Sequence, residues 1–364
     1  MKIRALRRTL SLASLSAGLA LGSTADATTV YTETNSANGN AVQIYASDAA
    51  GALSLVGTSN TDGLGTGAGL GNQGALALSA DGRLLYAVNA GSDDISTFEV
   101  TDSGLRLLDR VASGGSRPIS VTVHHRVVFV LNAGGSGNIV GFHAMPDGHL
   151  SPIAGSSRPL SSDAAGPAEI AFNPEGDTLI VTEKALNKIA IYAVSHGIPT
   201  RPLTRASAGT TPFGFVFDRR GTLLVSEAFG GASGASALSS YELEDDGALE
   251  TISTSIPTHQ TAACWVVLAR RGRFAYTTNT GSGTVTGYRV ARSGEITRLN
   301  PDGVTGFTGG GPTDGASTPD GRLMYVLSPS IGQIVAFRVE ADGSLQTIGS
   351  APGAPATATG IVVR

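Results

Sequence analysis

The chain has 364 residues, of which 25 are Lys or Arg and 29 are Asp or Glu, so its formal net charge is −4. This mildly acidic balance gives no electrostatic footprint for nucleic acid or for an anionic membrane surface. Cys264 is the only cysteine, which excludes an internal disulfide and a cysteine-rich metal site.

The first 27 residues have the anatomy of an export signal. A basic head at 2–8 is followed by an apolar run at 10–21, and the small residues at 25–27 offer a cleavage site. The apolar run is too short to remain as a membrane anchor. We therefore expect a signal peptide at 1–27 and one domain at 28–364, with a net charge of −7, in an exported protein that is periplasmic or secreted.

The stretch at 74–102 is the template of a repeat. It contains apolar or alternating runs of five to seven residues, separated by turns such as Ala80-Asp81-Gly82-Arg83, and a fourth run begins at Leu105. Runs of this length and composition, punctuated by Asp-Gly, are typical of antiparallel strands joined by hairpins. The stretch therefore predicts a small four-stranded sheet.

Six copies of this sheet follow one another along the chain. Their second strands read LLYAVN (84–89), VFVLN (128–132), LIVTE (179–183), LLVSE (223–227), FAYTTN (274–279) and LMYVLS (323–328). The turn before the second strand recurs as ADGR, PEGD, RRGT, RRGR and PDGR, and only the copy with His124-His125-Arg126 departs from it. The ends of these strands lie 43 to 52 residues apart, and self-similarity at a nearly fixed period is typical of propellers and other repeat folds.

The two ends of the chain supply a seventh copy. The N-terminal part enters at VYTETN with a second, third and fourth strand, and the run at 360–364 reads as a first strand with nothing after it. Three strands from one end and one from the other complete a sheet and close a ring, which removes open sheet edges. We predict an all-β, seven-bladed β-propeller of four-stranded antiparallel blades, closed by the C-terminal strand.

This geometry predicts where a site should lie. In each blade the first strand lines the central channel, and the start of that strand lies on the same face of the disc as the end of the second strand. One mouth of the channel should therefore gather the polar residues from both positions. The predicted substrate-binding residues are Arg117, Gln73, Asn89, Asn132, Glu169, Trp265 and Asn279.

Two carboxylates at this mouth are candidates for catalysis. Glu183 and Glu227 stand where most other copies have Asn or Ser, and low-dielectric walls raise a carboxyl pKa into the range of a general base or acid. Arg117 is suited to holding a substrate carboxylate. The alternatives are that both Glu residues only bond to loop backbones, that Arg117 forms a salt bridge between blades, and that Trp265 fills a wedge between blades.

The remaining motifs exclude several kinds of site. The glycine-rich connection at 60–74 lacks the ending of a phosphate-binding loop, and we expect it to be a flexible loop over the mouth. No GxSxG or HExxH motif occurs, and the six His residues are scattered. We expect no metal and no cofactor.

The repeat resembles a known family. SADGRLLYAVNAGSDDISTFEV and TPDGRLMYVLS are similar to the blades of the seven-bladed propeller lactonases, which include 6-phosphogluconolactonase and carboxymuconate cyclase relatives. The resemblance implies a His at the start of a blade and a Glu after a second strand. Glu183 falls within one residue of that Glu, whereas the sequences at 72–75 and 166–169 contain no His.

We therefore expect an exported, monomeric, lactonase-like enzyme that hydrolyses or forms a small lactone or binds a carboxylate. Glu183 or Glu227 would move the proton. The alternative is a non-catalytic propeller that binds a ligand or a protein partner on one face, since a fold does not fix a function.

Overall fold

A computed structural model describes residues 28–244 and 246–364, which form seven antiparallel sheets arranged as the blades of one ring. The innermost strands of successive blades contact one another around the whole ring. The predicted seven-bladed β-propeller is confirmed. The predicted signal peptide lies outside the described residues.

The blades are numbered along the chain from the one that contains both chain ends. Blade 1 has β1 (Thr29–Glu33), β2 (Ala41–Ser47) and β3 (Leu53–Asn60), together with the last strand of the chain. Blade 2 has β4 (Leu76–Leu78), β5 (Leu84–Asn89), β6 (Asp94–Thr101) and β7 (Gly104–Ala112). Blade 3 has β8 (Pro118–His124), β9 (Val127–Asn132), β10 (Asn138–Ala144), β11 (Leu150–Pro152) and β12 (Arg158–Pro159). Blade 4 has β13 (Pro167–Phe172), β14 (Thr178–Glu183), β15 (Lys188–Ser195), β16 (Ile198–Pro199) and β17 (Leu203–Ala206).

The other three blades follow the same order. Blade 5 has β18 (Pro212–Phe217), β19 (Leu223–Glu227), β20 (Ala237–Leu243) and β21 (Leu249–Pro257). Blade 6 has β22 (Ala263–Ala269), β23 (Phe274–Asn279), β24 (Thr284–Val290), β25 (Ile296–Arg298) and β26 (Gly306–Phe307). Blade 7 has β27 (Asp314–Ser317), β28 (Leu323–Ser328), β29 (Gln333–Val339) and β30 (Leu345–Pro352), and β31 (Thr359–Val363) ends the chain. Short 3₁₀ turns occur at Phe229–Gly231, Arg270–Gly272 and Pro329–Ile331.

The fourth strand is broken in three blades. In blades 3, 4 and 6 two short segments pair with the third strand, where the other blades have one strand.

The ring closes through the predicted seam. β31 pairs antiparallel with β1, with Val30 opposite Val363 and Tyr31 opposite Val362. The backbones of Thr29 and Arg364 exchange two hydrogen bonds of 2.9 and 2.8 Å. The first blade is therefore a single sheet built from both ends of the chain.

Burial follows the position of each strand in its blade. The second strands are apolar because neighbouring blades cover both of their faces, and β5 is fully buried from Leu85 to Asn89. The outermost strands are half exposed, as β7 is. Fully burying one large apolar side chain stabilises the fold by about 1.5–3 kcal/mol, so the faces between blades form the core.

The Asp-Gly turns lie together on one face of the disc, which we call the turn face. In blade 2 the Asp81 carboxylate accepts a hydrogen bond from the Ser79 hydroxyl (2.6 Å), and Gly82 has φ 66°. Turn geometry explains these residues without a functional role. The opposite face carries the candidate site.

Candidate functional site

The two predicted rings of residues do meet on one face. Pro118, at the start of β8, lies opposite Asn132, and Ala263, at the start of β22, lies opposite Asn279. The same pairing places Pro167 opposite Glu183. We call this face the mouth face. It also carries Glu33, the last residue of β1, which our sequence analysis did not single out.

The asparagines at the ends of the second strands stabilise their own blades. The Nδ2 of Asn89 donates to Asp94 Oδ1 (2.7 Å) and Ser96 Oγ (2.8 Å). The amides of Asn132 and Asn279 make corresponding bonds to their third strands. All three side chains are fully buried, so their amides are committed to the hairpins.

The two glutamates predicted to be catalytic are also bonded within the protein. Glu183 accepts from the backbone N–H of Ser161 (2.9 Å) and from its hydroxyl. Glu227 accepts from the N–H of Gly209 (2.8 Å), the Ser239 hydroxyl (2.6 Å) and the Ser255 hydroxyl (2.5 Å). These bonds fit the structural alternative, and a catalytic role for either residue stays a prediction.

The connection between β3 and β4 enters the channel. Gln73 uses its Nε2 to donate to the carbonyl of Val266 (3.1 Å), and its Oε1 accepts from the N–H of Val266 (3.1 Å). The side-chain amide of Asn72 donates to the backbone carbonyl of Ile119, and the backbone carbonyl of Asn72 accepts from the indole N–H of Trp265 (2.6 Å). We call residues 70–74 the channel plug. The expected flexible loop over the mouth is thus anchored at its end to blades 3 and 6.

A repeated contact explains why Gln73 fits here. The third residue of an innermost strand accepts from the N–H of the fourth residue in the next blade: Ser120 from Ile170 (3.2 Å) and Glu169 from Phe215 (2.6 Å). In blade 5 the third residue is Gly214, which has no side-chain oxygen to accept this hydrogen bond. A Cβ there would lie 2.0 Å from Gln73 Oε1, so the missing side chain leaves the space that Gln73 fills.

Two acids lie buried in the channel wall, Glu169 of blade 4 and Asp314 of blade 7. Burial raises the pKa of Glu169 well above its usual range, and the Asp314 carboxylate raises it further. Burial raises the pKa of Asp314 to about 8, although backbone N–H groups of Gly315, Ile361 and Gly74 bond to its carboxylate. Glu169 is therefore bonded to the channel wall, where the sequence predicted contact with a substrate.

A half-buried amine stands at the edge of the plug. Lys184 Nζ donates to the carbonyl of Gly71 and lies 4.7 Å from the centroid of the Phe213 ring. Trp265 stacks obliquely on Phe213, with ring centroids 5.1 Å apart. Burial, opposed by Cys264 and assisted by the positive charge of Arg117, lowers the pKa of Lys184 to about 8. This value places an appreciable fraction of the amine in the neutral, basic form near neutral pH.

Arg117 is exposed beside this amine. Its N–H donates to Asp93 Oδ1 (2.6 Å) with φ 55°, while its guanidinium forms no ion pair with any described residue. The alternative of a salt bridge between blades is therefore not formed within residues 28–244 and 246–364. Lys184, Arg117, Phe213 and Trp265 together make up what we call the mouth cluster.

The thiol of Cys264 lies among these residues but is not suited to nucleophilic chemistry. It is buried, and burial raises its pKa to about 12. The thiolate is the nucleophile, so this cysteine is inert at neutral pH.

Among residues 28–244 and 246–364, no group of three or more His, Cys, Asp or Glu is placed to hold a metal ion. In the same ranges no helix is long and apolar enough to cross a membrane.

Comparisons with known proteins agree with the fold. A family model described as lactonase, 7-bladed beta-propeller, matches residues 27–158 and 148–261. A Bacteroides fragilis protein assigned as a 6-phosphogluconolactonase superposes with a TM-score of 0.71 at 19% identity, covering 94% of this chain and 99% of its own. The periplasmic gluconolactonase of Pseudomonas aeruginosa gives a TM-score of 0.71 at 18% identity, covering 93% of this chain and 98% of its own.

At such identities these structures share the fold alone with this chain. No curated protein sequence matches it. The family model, in contrast, covers well over half of the chain.

Proposed function

The chain belongs to the family of seven-bladed β-propeller lactonases, and from this premise we propose that it hydrolyses, or forms in reverse, a small lactone at the mouth cluster. The observation that carries the proposal is the half-buried amine of Lys184, whose pKa is lowered to about 8 beside the Arg117 guanidinium, which forms no ion pair with a described residue. A base of this strength is matched to proton transfer near neutral pH.

Each group of the mouth cluster has a role in the proposed reaction. Neutral Lys184 takes a proton from water while the water oxygen attacks the lactone carbonyl carbon. Arg117 stabilises the negative charge that develops on the carbonyl oxygen, or holds a carboxylate of the substrate. The ring C–O bond then breaks, and the leaving alkoxide takes the proton from Lys184. Phe213 and Trp265 offer an apolar surface for the ring carbons.

The proposal moves the proton-transfer role from the predicted glutamates to Lys184. The carboxylates of Glu183 and Glu227 already accept hydrogen bonds from Ser161 and from three donors respectively. A carboxylate held this way is poorly placed to exchange protons with a substrate. Their variants therefore belong in the assay as a comparison.

A pH-stat assay over a panel of aldonolactones, phosphorylated and unphosphorylated, tests the proposal. We expect kcat/KM for at least one lactone to rise with pH and level off above about 8, because the neutral amine is the base. Lys184→Met should lower kcat/KM by about 100-fold or more, and Arg117→Gln should raise KM about tenfold.

Lys188→Met is the matched control, since Lys188 begins β15 of the same blade outside the cluster. If Lys184→Met keeps wild-type kcat/KM while Glu183→Gln or Glu227→Gln loses it, the base is a glutamate and our assignment is wrong. If the wild-type protein is inert on every lactone, the enzyme proposal fails.

One observation favours the non-catalytic alternative, a propeller that binds a ligand. Cavities of about 1090 and 810 Å³ open on the turn face, away from the mouth cluster. A protein that is inert on lactones and still binds a small molecule there would support it.

We also propose that the protein is exported. The basic head and apolar run at 2–21 support this, and one structural neighbour is a periplasmic enzyme. Cell fractionation with N-terminal sequencing tests it: we expect the mature protein outside the cytoplasm with its first residue near 28. Full-length protein retained in the cytoplasm would contradict export.

A further inference from the structure

Three tyrosines occupy the same position in three blades. Tyr86, Tyr276 and Tyr325 each lie three residues before the end of the second strand, in β5, β23 and β28. The hydroxyl of Tyr276 donates to the carbonyl of Gly343 (2.8 Å), and that of Tyr325 donates to the carbonyl of Gly51 (3.2 Å). Both glycines lie in the turn between the third and fourth strands of the next blade.

The hydroxyl of Tyr86 lacks this bond. By the same rule its acceptor should be Gly148, in the corresponding turn of blade 3. The Tyr86 hydroxyl is buried and has no hydrogen-bond partner among the described residues. Its pKa is raised to about 12, mainly by burial and also by the Asp81 carboxylate, which places it towards the turn face. An unpaired buried hydroxyl is destabilising, so its presence needs a reason.

The turn of blade 3 packs differently on the preceding blade from the turns of blades 7 and 1. A Cβ on Gly343 would lie 2.5 Å from Phe274, and one on Gly51 would lie 2.8 Å from Leu323, each the first residue of a second strand. Each would also lie 2.9 Å from an outer residue of the same blade, Leu299 or Ile348. The corresponding Cβ on Gly148 would lie 2.2 Å from Leu108, in the outermost strand of blade 2. The space in front of the first residue of β5 is therefore not filled by this turn, although Tyr86 itself stays buried.

That space is a groove of about 1090 Å³ between blades 2 and 3. Its apolar surface comes from residues such as Leu84, Leu107, Val127 and Met145, and Tyr86 lines it as well. Met145 is 45% exposed, an unusual fraction for a large apolar side chain next to a cavity.

The groove lining carries three arginines and three acidic residues, so its formal charge is zero with His neutral, but two of the arginines form no ion pair with a described residue. Arg106 is paired with Glu99 (2.6 Å), and Asp147 lies 3.4 Å from His149. The Asp81 carboxylate is engaged by the Ser79 hydroxyl. Arg83 and Arg126 line the groove and form no ion pair with any described residue.

We propose that this groove, which we call the Tyr86 groove, binds a small organic carboxylate with an apolar body. Arg83 and Arg126 hold the carboxylate, the apolar residues cover the body, and an oxygen at its far end accepts the hydrogen bond that Gly148 does not. The site lies on the turn face, so it is independent of the mouth cluster.

Binding of two nearly isosteric acids tests this directly, measured by calorimetry or ligand-detected NMR on the purified protein. 4-Acetylbenzoate offers a carbonyl acceptor where 4-isopropylbenzoate offers a methyl group. We expect the acetyl compound to bind about tenfold more tightly, because only it pairs with the Tyr86 hydroxyl. Arg126→Gln should weaken both acids about tenfold or more.

Tyr86→Phe should abolish the preference for the acetyl compound and leave the affinity for 4-isopropylbenzoate unchanged. Tyr276→Phe is the matched control, and it should keep the preference. Melting temperatures separate binding from folding: Tyr86→Phe should melt at or above the wild-type temperature, and Tyr276→Phe, which loses a hydrogen bond, below it. If neither acid binds with a dissociation constant below about 10 mM, or if Tyr86→Phe keeps the preference, the proposal is wrong.

Discussion

The contact between Gln73 and blade 6 yields the sharpest test of how the channel is built. In Gln73→Ala, the N–H and carbonyl of Val266 lose their partners inside the channel. Each of the two buried groups left unpaired costs about 1–3 kcal/mol, so we expect a loss of about 2–6 kcal/mol in the free energy of unfolding. Urea titration at constant pH measures it.

Gly214→Ser should also destabilise the wild-type protein. Its Cβ would lie 2.0 Å from Gln73 Oε1 and 2.6 Å from the carbonyl oxygen of Cys264, so Gln73 must move. In the Gln73→Ala background the first conflict is gone. The new hydroxyl is then placed to accept from the N–H of Val266, as Ser120 accepts from Ile170.

The two substitutions should therefore couple by about 2 kcal/mol, the double variant being more stable than the sum of the single effects predicts. Because the conflict with Cys264 is present with and without Gln73, it cancels in the cycle. Gly214→Ala is the matched control, since a methyl group cannot accept a hydrogen bond. Effects that add within about 0.5 kcal/mol, or an equal recovery with Ala and Ser, would refute this account of the channel.

Three further predictions follow from the same structure. The folded protein raises the pKa of Asp314 from 3.8 to about 8, so it retains a proton that the unfolded chain releases. The free energy of unfolding should therefore fall as pH rises from about 4 to about 8, by up to about 1.4 kcal/mol per pH unit. Asp314→Asn should flatten this slope in urea titrations across that range, and an unchanged slope would contradict the prediction. Glu227→Gln should lower the free energy of unfolding by about 1–3 kcal/mol, because one of its accepting oxygens becomes a donor. Glu242→Gln is the control and should have no effect, since Glu242 is exposed. Equal stabilities would show that the hydrogen bonds of Glu227 contribute nothing. Ile361→Asp puts a carboxylate into the buried seam between β31 and β1 and should abolish cooperative thermal unfolding. Arg364→Ala, at an exposed position of the same chain end, should lower the melting temperature only slightly. A stable Ile361→Asp protein would mean that the seam is not needed for folding.

The fold could be predicted from the sequence because each blade repeats the same local pattern. The second strands are buried on both faces, so they appear as continuous apolar runs, and the Asp-Gly turns mark the hairpins between them. The ring closure was also readable, since the strands missing from one end of the chain are present at the other. The blades depend on residues close together in sequence, and the closure depends only on which strands of the repeat each chain end supplies.

The site could be predicted only as a face of the disc. The partner of Gln73 is 193 residues away, and the partners of Glu183 and Glu227 come from loops with no recurring pattern. The sequence therefore shows which side chains reach the mouth but not which are already bonded there. Lys184 was visible beside Glu183, yet its perturbed pKa depends on its burial and on Arg117, which comes from another blade.

The channel plug ties the connection between the first two blades to parts of the ring far from it. Asn72 and Gln73 connect blades 3 and 6 from inside the channel through hydrogen bonds to Ile119, Trp265 and Val266. Cleaving or lengthening the chain near 70–74 should therefore loosen blades that are distant in sequence, and proteolysis at that one loop should be followed by collapse of the whole disc.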